Sequence, residues 1–343
     1  MSKVTLVSPK EKNNFRSTLS LGILFAFGLC IIMFVLHISI GAKPLSYLTV
    51  INSIIHFDIR NFDHVIILKV RLPRAIIALT VGASLSVAGA IMQGVTRNPL
   101  ASPSILGLLT GASFAIVISY GMFGVFTPYY TPWIAALGAL LTAILVLTVA
   151  SLAPGGASPL NLTLSGAAIS AFLGAIITIF NLLDSDNFDD LREWLTGSLA
   201  GNSLEVFYII VPWIIIAMVA AIILSRKITI LGMGDDVAKG LGVKTTGLKI
   251  QLLIIVVMLT ASSVALAGPM GFIGLVIPHI ARIVVGSDYR WIIPYSALFG
   301  AAYLVGVDIL ARVIIAPQEI STGIITALFG GPLFIYLIKT RAR

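Results

Sequence analysis

Leu19 to Ile40 reads LSLGILFAFGLCIIMFVLHISI, 22 residues without an Asp, Glu, Lys or Arg. A helix rises 1.5 Å per residue, so about 20 apolar residues cross the roughly 30 Å hydrocarbon core of a bilayer. This run is long enough for that crossing. It is too long for the apolar heart of a signal peptide, and no small-residue cleavage site closes it. The expectation is a retained first span. Nine further runs follow near residues 72–93, 101–121, 132–152, 161–183, 206–225, 249–267, 269–285, 291–314 and 322–338. The run at 101–121 is rich in Gly and Ser, and the one at 269–285 is short and carries Pro278 and His279.

Composition demands the same solvent. Of 343 residues, 58% are hydrophobic and 10% charged, with a mean hydropathy of +1.05. A soluble domain carries about 25% charged residues, and one buried core stops growing near this chain length. Lipid must therefore face much of the surface. The net charge of +8 does not point to nucleic acid, because its positions have another use. Lys3, Lys10, Lys12 and Arg16 precede the first run, while Lys339, Arg341 and Arg343 follow the last. Basic residues beside spans hold those ends in the cytoplasm.

Ten spans, an even number, put both basic termini on one side. The reading is an all-α membrane protein with a cytoplasmic tail over 1–18 and one transmembrane domain over 19–343. Its outer loops are then 41–71, 122–131, 184–205 and 315–321, with a tight turn near Gly268. The 184–205 loop is acidic, with Asp184, Asp186, Asp189, Asp190 and Glu193 against Arg192. Inner segments carry Arg97, Arg226, Lys227, Lys239, Lys244, Lys249, Arg282 and Arg290. Five spans followed by five place the halves in opposite orientation, as in inverted-repeat transporters. Ser86-Val87-Ala88-Gly89 and Ser263-Val264-Ala265 are faint traces of such a repeat.

The span interiors are almost bare of charge. Asp308 and Arg312 stand four apart near the outer end of the ninth span, where an i,i+4 pair forms. A proton- or sodium-coupled carrier needs ionisable groups deep in its spans, so the energy is expected from a partner. The chain is not expected to hydrolyse ATP. Gly240-Leu241-Gly242-Val243-Lys244-Thr245 lacks the phosphate-loop spacing, and Gly232-Met233-Gly234 does not complete a dinucleotide fingerprint. Cys30 is the only cysteine, and His37, His56, His64 and His279 have no metal-ligand spacing, so no metal site is expected. No nucleophile–base set marks a membrane enzyme.

Arg71-Leu72-Pro73-Arg74 opens the second span on the expected outer side. Pro suits a first helical turn, but two arginines oppose the positive end of the helix dipole and the basic-inside bias. Either an anionic partner or lipid phosphates at the interface would account for them. Small residues recur at four-residue spacing at Gly166, Ser170 and Gly174, and again at Gly323, Ala327 and Gly330/Gly331. That spacing permits close helix approach.

With Val81-Gly82-Ala83, Ala88-Gly89-Ala90-Ile91-Met92-Gln93 and Arg97-Asn98-Pro99-Leu100-Ala101-Ser102-Pro103, the sequence resembles the FecCD family. Those are permeases of ABC importers, of the type II class, for iron-siderophores, haem and vitamin B12. Gly268 to Arg282, reading GPMGFIGLVIPHIAR, and Gly323 to Leu328 agree with it. The resemblance implies a vitamin B12-importer-like inverted-repeat fold in a bacterial cytoplasmic membrane. It implies that Arg71, Arg74 and Arg312 receive glutamates of an extracytoplasmic substrate-binding protein. The inner loop at about 228–248 is similar to the family's coupling loop, with Gly234, Asp235, Ala238 and Gly242 in its pattern and Asp235 in place of the usual Glu. Asn98, Leu100 and Ser158-Pro159-Leu160 are implied to form a cytoplasmic gate, and Gly166, Ser170 and Gly174 to flank the passage. Implied partners are a second permease, weakly a homologue rather than an identical copy, and two ATPase subunits that carry the ATP and Mg. No cofactor is expected on this chain. A ferric siderophore is the favoured cargo, ahead of haem and cobalamin.

Overall fold

The computed structural model describes residues 9–41, 45–123, 129–156, 158–183, 194–201 and 204–341. Among them the regular structure is helical throughout. The first half contains α1 (Pro9–Ser39), α2 (Tyr47–Ile55), α3 (Phe62–Ile66), α4 (Leu72–Thr96), α5 (Leu108–Phe123), α6 (Thr131–Leu152) and α7 (Pro159–Leu183). The second contains α8 (Leu204–Gly232), α9 (Asp235–Gly240), α10 (Thr245–Ala267), α11 (Ile273–Val285), α12 (Tyr289–Val313) and α13 (Thr322–Arg341). Among the described residues seven helical stretches are long and apolar enough to cross a bilayer, and three shorter apolar helices stand at Leu108–Met122, Ile273–Val285 and Thr322–Tyr336.

The packing is inside-out relative to a soluble bundle. Leu24 and Phe25 on α1, Leu141 and Ile144 on α6, Phe172 on α7 and Ile216 and Ile223 on α8 are all exposed. Lipid is as apolar as these side chains, so nothing drives them inward. Helix backbones satisfy their own hydrogen bonds, which is what lets them stand in hydrocarbon. What holds the helices together is close contact between small residues. α4 is the centre of that contact: no residue of it from Leu72 to Thr96 is exposed, and it lies against α8, α10, α11 and α12. Its glycines make the approach possible. A Cβ on Gly82 would collide with the Gly300 carbonyl of α12, and one on Gly89 with the Gly274 carbonyl of α11.

Three sequence expectations change. The run at 101–121 is not one helix: a 3-10 turn covers Pro103–Leu106, Gly107 adopts φ 67°, and α5 starts at Leu108. The run at 269–285 is helical only from Ile273, because Gly268 and Phe272 both take positive φ and turn the chain before it. Its 13 residues span about 20 Å, short of a bilayer core. The second helix begins earlier than Leu72. Phe62 to Thr96 is continuous, α3 passing into α4 through a π-helical turn at Ile67–Arg71. Most of the acidic 184–205 loop lies outside the described residues. The remainder packs inward, where the Gly323 N–H donates to the Gly197 carbonyl at 2.8 Å and the Thr196 hydroxyl to Ser321 Oγ at 2.7 Å.

Adding one methyl group tests the packing. Gly89→Ala forces the α4–α11 backbones apart and should exceed the about 1–3 kcal/mol typical of overpacking. Gly28→Ala on α1, with nothing within 4 Å of the new Cβ, should gain up to about 1 kcal/mol of helix propensity. Unfolding of both variants in detergent micelles should show opposite signs. Equal effects would contradict the assignment of α4 as the packing centre.

Candidate functional site

Asp308 lies on α12, in the spanning region, with no exposed surface. A carboxylate there must be compensated or it costs several kcal/mol. Its compensation comes from three other parts of the chain. Arg74 Nε donates to Oδ2 at 2.8 Å and Nη2 to Oδ1 at 3.0 Å, a bidentate fork. His37 Nε2, from α1, lies 2.8 Å from Oδ2. The Thr322 hydroxyl, at the start of α13, donates to Oδ1 at 2.7 Å. The i,i+4 partner expected from the sequence, Arg312, is the looser contact, its Nε standing 3.4 Å from Oδ2.

Around this carboxylate the three arginines converge, although Arg312 is separated from the other two by more than 200 residues of chain. Arg312 Nη2 donates to the His37 carbonyl at 3.1 Å. Arg71 Nη1 donates to the Ile38 and Ser39 carbonyls at 2.7 and 2.9 Å, closing the last turn of α1. A Cβ placed on Gly41 would lie 2.9 Å from Arg71 Nη2 and 3.5 Å from Arg312 Nη1, so both guanidiniums meet at that glycine. Arg74 Nη1 also donates at 2.6 Å to Glu319, in the segment between α12 and α13. All three arginines are buried. The helix-dipole argument for Arg71 and Arg74 does not hold, because they stand inside a continuous helical stretch and not at its start.

The other end of α4 carries the second expected site. At about 1.5 Å per residue the two ends are separated by roughly 37 Å. Gly234, at φ 122°, starts the six-residue α9, and Gly242, at φ 79°, follows it; both conformations suit only glycine. Ala238 is fully buried. Asp235 turns inward: Lys249 Nζ lies 2.6 Å from Oδ2 and Arg97 Nη2 4.0 Å from Oδ1. The hydrogen-bonded Lys249 holds this carboxyl below the usual carboxylate range. Met233, Val237 and Leu241, four residues apart, are exposed and apolar, a feature the sequence reading passed over.

The expected gate residues fall on turns near this end. The Asn98 side chain accepts from the Leu100 N–H at 2.9 Å, and Ser158 Oγ accepts from the Asn161 N–H at 3.2 Å at the start of α7. Leu100 and Leu160 are exposed, and Pro159 is the first residue of α7. Gly166 and Ser170 pack against the turn that contains Ile105 and Gly107, whereas a Cβ on Gly174 would meet open space.

Removing the central carboxylate should undo the outer end. Asp308→Ala leaves Arg312 buried without its counter-charge and Arg74 with Glu319 alone, and should destabilise the protein by about 3–5 kcal/mol. Denaturant unfolding in micelles measures this. A loss below about 1 kcal/mol would show that the arginines are held by something other than Asp308.

Known proteins carry the same chain plan. The profile of the FecCD transport family matches residues 29–340. The chain is 45% identical over 303 residues to the "Probable siderophore transport system permease protein YfiZ" of Bacillus subtilis (strain 168), covering 88% of this chain and 91% of that one. It is 40% identical over 317 residues to the Fe(3+)-citrate import system permease protein YfmD of the same strain, covering 92% of each. Identity to the ferric enterobactin transport system permease protein FepD of Escherichia coli (strain K12) is 38% over 315 residues, covering 92% and 94%. A solved structure of a metal-chelate type ABC transporter, in an inward-facing conformation, superposes with a TM-score of 0.81 at 30% identity, covering 93% of this chain and 98% of that one. The chain belongs to the FecCD transport family and is a multi-pass protein of the cytoplasmic membrane.

Proposed function

We propose that this chain is the permease subunit of an ATP-driven importer of ferric siderophores, drawing its energy from a separate ATPase. The relatives are permeases of siderophore, ferric citrate and ferric enterobactin systems, which favours a ferric chelate over haem or cobalamin. In this reading ten spans form an inverted repeat and both termini are cytoplasmic. A second permease, weakly a homologue, completes the passage, and two ATPase subunits bind ATP and Mg. The arginine cluster faces an extracytoplasmic binding protein, and the turns at Asn98–Leu100 and Ser158–Leu160 gate the cytoplasmic mouth. Iron crosses wrapped in its chelator as cargo.

The observation that carries the reading is the exposed apolar cluster of Met233, Val237 and Leu241 on the short segment between α8 and α10. A solvated loop has no use for three exposed apolar side chains so close together. Val237 lies on α9, while Met233 precedes the break at Gly234 and Leu241 caps the helix, so the three make an exposed apolar cluster around a short helix, and such clusters mark contact surfaces. Asp235, by contrast, ties the segment back to the bundle through Lys249 and Arg97. In this arrangement ATPase movement reaches Arg97 and the gate turn that follows it.

Val237→Asp with Leu241→Asp puts charges on exposed positions and spares the fold. ATPase binding to the purified permease should weaken by roughly thirtyfold or more, the loss expected when about 2 kcal/mol of anchor contact disappears. Pull-down titration with the cognate ATPase measures it, with a thermal melt as the folding check. Undiminished ATPase affinity in a correctly folded variant would refute the coupling role.

A further inference from the structure

The two carboxylates that pair with Arg74 differ in kind. Asp308 has no exposed surface and is fixed by His37, Arg74 and Thr322. Glu319 has Arg74 as its hydrogen-bonded partner, at 2.6 Å, and its side chain is 38% exposed where that of Arg74 is 8% exposed. It sits at the rim, on the short segment that joins α12 to α13. Three arginines face three carboxylates, since Asp63 acts on Arg71 beside Asp308 and Glu319; without Glu319 the cluster has one positive charge in excess. Arg74 spends Nε and Nη2 on Asp308, so its Nη1 is the donor for one more carboxylate, and Glu319 takes it up.

We infer that Glu319 is an internal stand-in for a docking partner's carboxylate, a latch that closes Arg74 until an incoming Glu or Asp displaces it. This rests on the reading of the cluster as the binding-protein docking site. Exchanging one carboxylate for another on the same guanidinium changes little in energy, so the latch lowers affinity without removing specificity. A site open only one time in ten binds about tenfold more weakly than its intrinsic affinity. Docking then stays reversible despite three arginines. Displacement acts on a segment tied at both flanks: Gln318 N–H donates to the Ile315 carbonyl and Ile320 N–H to the Ala311 carbonyl, both at 3.0 Å, while Thr322 and Gly323 anchor the start of α13 on Asp308 and Gly197. α13 in turn packs Gly330 against Phe272, where the chain turns into α11. Release of Glu319 thus connects docking at the rim to a helix that runs the depth of the bundle.

The test uses the assembled transporter in lipid nanodiscs and its own purified solute-binding protein, titrated across a salt series. Glu319→Gln keeps the shape and removes the charge. It should tighten binding by roughly three- to tenfold and steepen the salt dependence, since more net charge is then left for the partner. Arg74→Gln should weaken binding, and the gain from Glu319→Gln should vanish in the double variant. If Arg74→Gln weakens binding but Glu319→Gln leaves it unchanged or weaker, Glu319 is a brace and the latch is wrong. If Arg74→Gln has no effect, the cluster is not the docking site and the latch falls with it. Should Glu319→Gln fail to fold, Glu319→Asp retracts the carboxylate by one methylene, and a smaller gain is expected; no gain there overturns the latch equally.

Discussion

A carboxylate with no exposed surface, on a helix that crosses lipid, sets the terms for one end of this molecule. Asp308 cannot be hydrated where it sits, so four helices supply what water would. α1 brings His37, α4 brings Arg74, α13 brings Thr322, and α12 itself brings Arg312. The guanidiniums are bound to Asp308 and to backbone carbonyls at the end of α1, so the fold itself fixes their orientation. The proposed docking would gain from such pre-organisation, because the entropy of fixing long side chains is already lost on folding.

That end is joined to the other by α4. In hydrocarbon, helix association depends on contact and not on hiding apolar surface, and α4 makes contact on all sides through Gly82, Gly89 and their partners Gly300 and Gly274. A helix so tightly enclosed transmits a displacement as a body instead of bending locally. Arg74 stands near its first turn and Arg97 at its far end, beside Asp235. One enclosed element thus has the arginine cluster around Asp308 at one end and, at the other, Arg97 beside Asp235 of the α9 segment.

Much of the fold was legible because lipid imposes a length rule that needs no partner. Charge-free runs of about 20 residues mark the long helices, but polar residues hide how far some continue: α1 begins at Pro9 and α8 runs through Arg226 and Lys227 to Gly232, while Gly268 and Phe272, or Pro103 to Gly107, turn the chain inside apolar runs. Those turns are apolar too, so hydropathy alone cannot separate them from helix. The start of the second helix was misjudged because Asp63, His64 and Lys69 look like a loop, though a π turn carries the helix through them. At the site, Arg71 and Arg74 are conspicuous as basic residues on the expected outer side, while Arg312 reads as the partner of Asp308 and joins them through the family resemblance. Their convergence on Asp308 needed the fold, since it brings together residues over 200 apart. Glu319 carried no signal at all, being one acid in a short loop. The coupling cluster was legible in principle from Met233, Val237 and Leu241, but a six-residue helix is too short for periodicity to declare itself.

The account's central claim is that this permease moves a ferric chelate only when a partner ATPase drives it. Uptake of radiolabelled iron as a siderophore complex into proteoliposomes tests that most directly. The vesicles would contain the permease with or without its ATPase and second permease, with the loaded binding protein supplied outside. Accumulation should require the ATPase together with internal ATP, and a proton or sodium gradient should neither replace ATP nor change the rate. Concentrative uptake by the permease alone, driven by an ion gradient, would contradict the account.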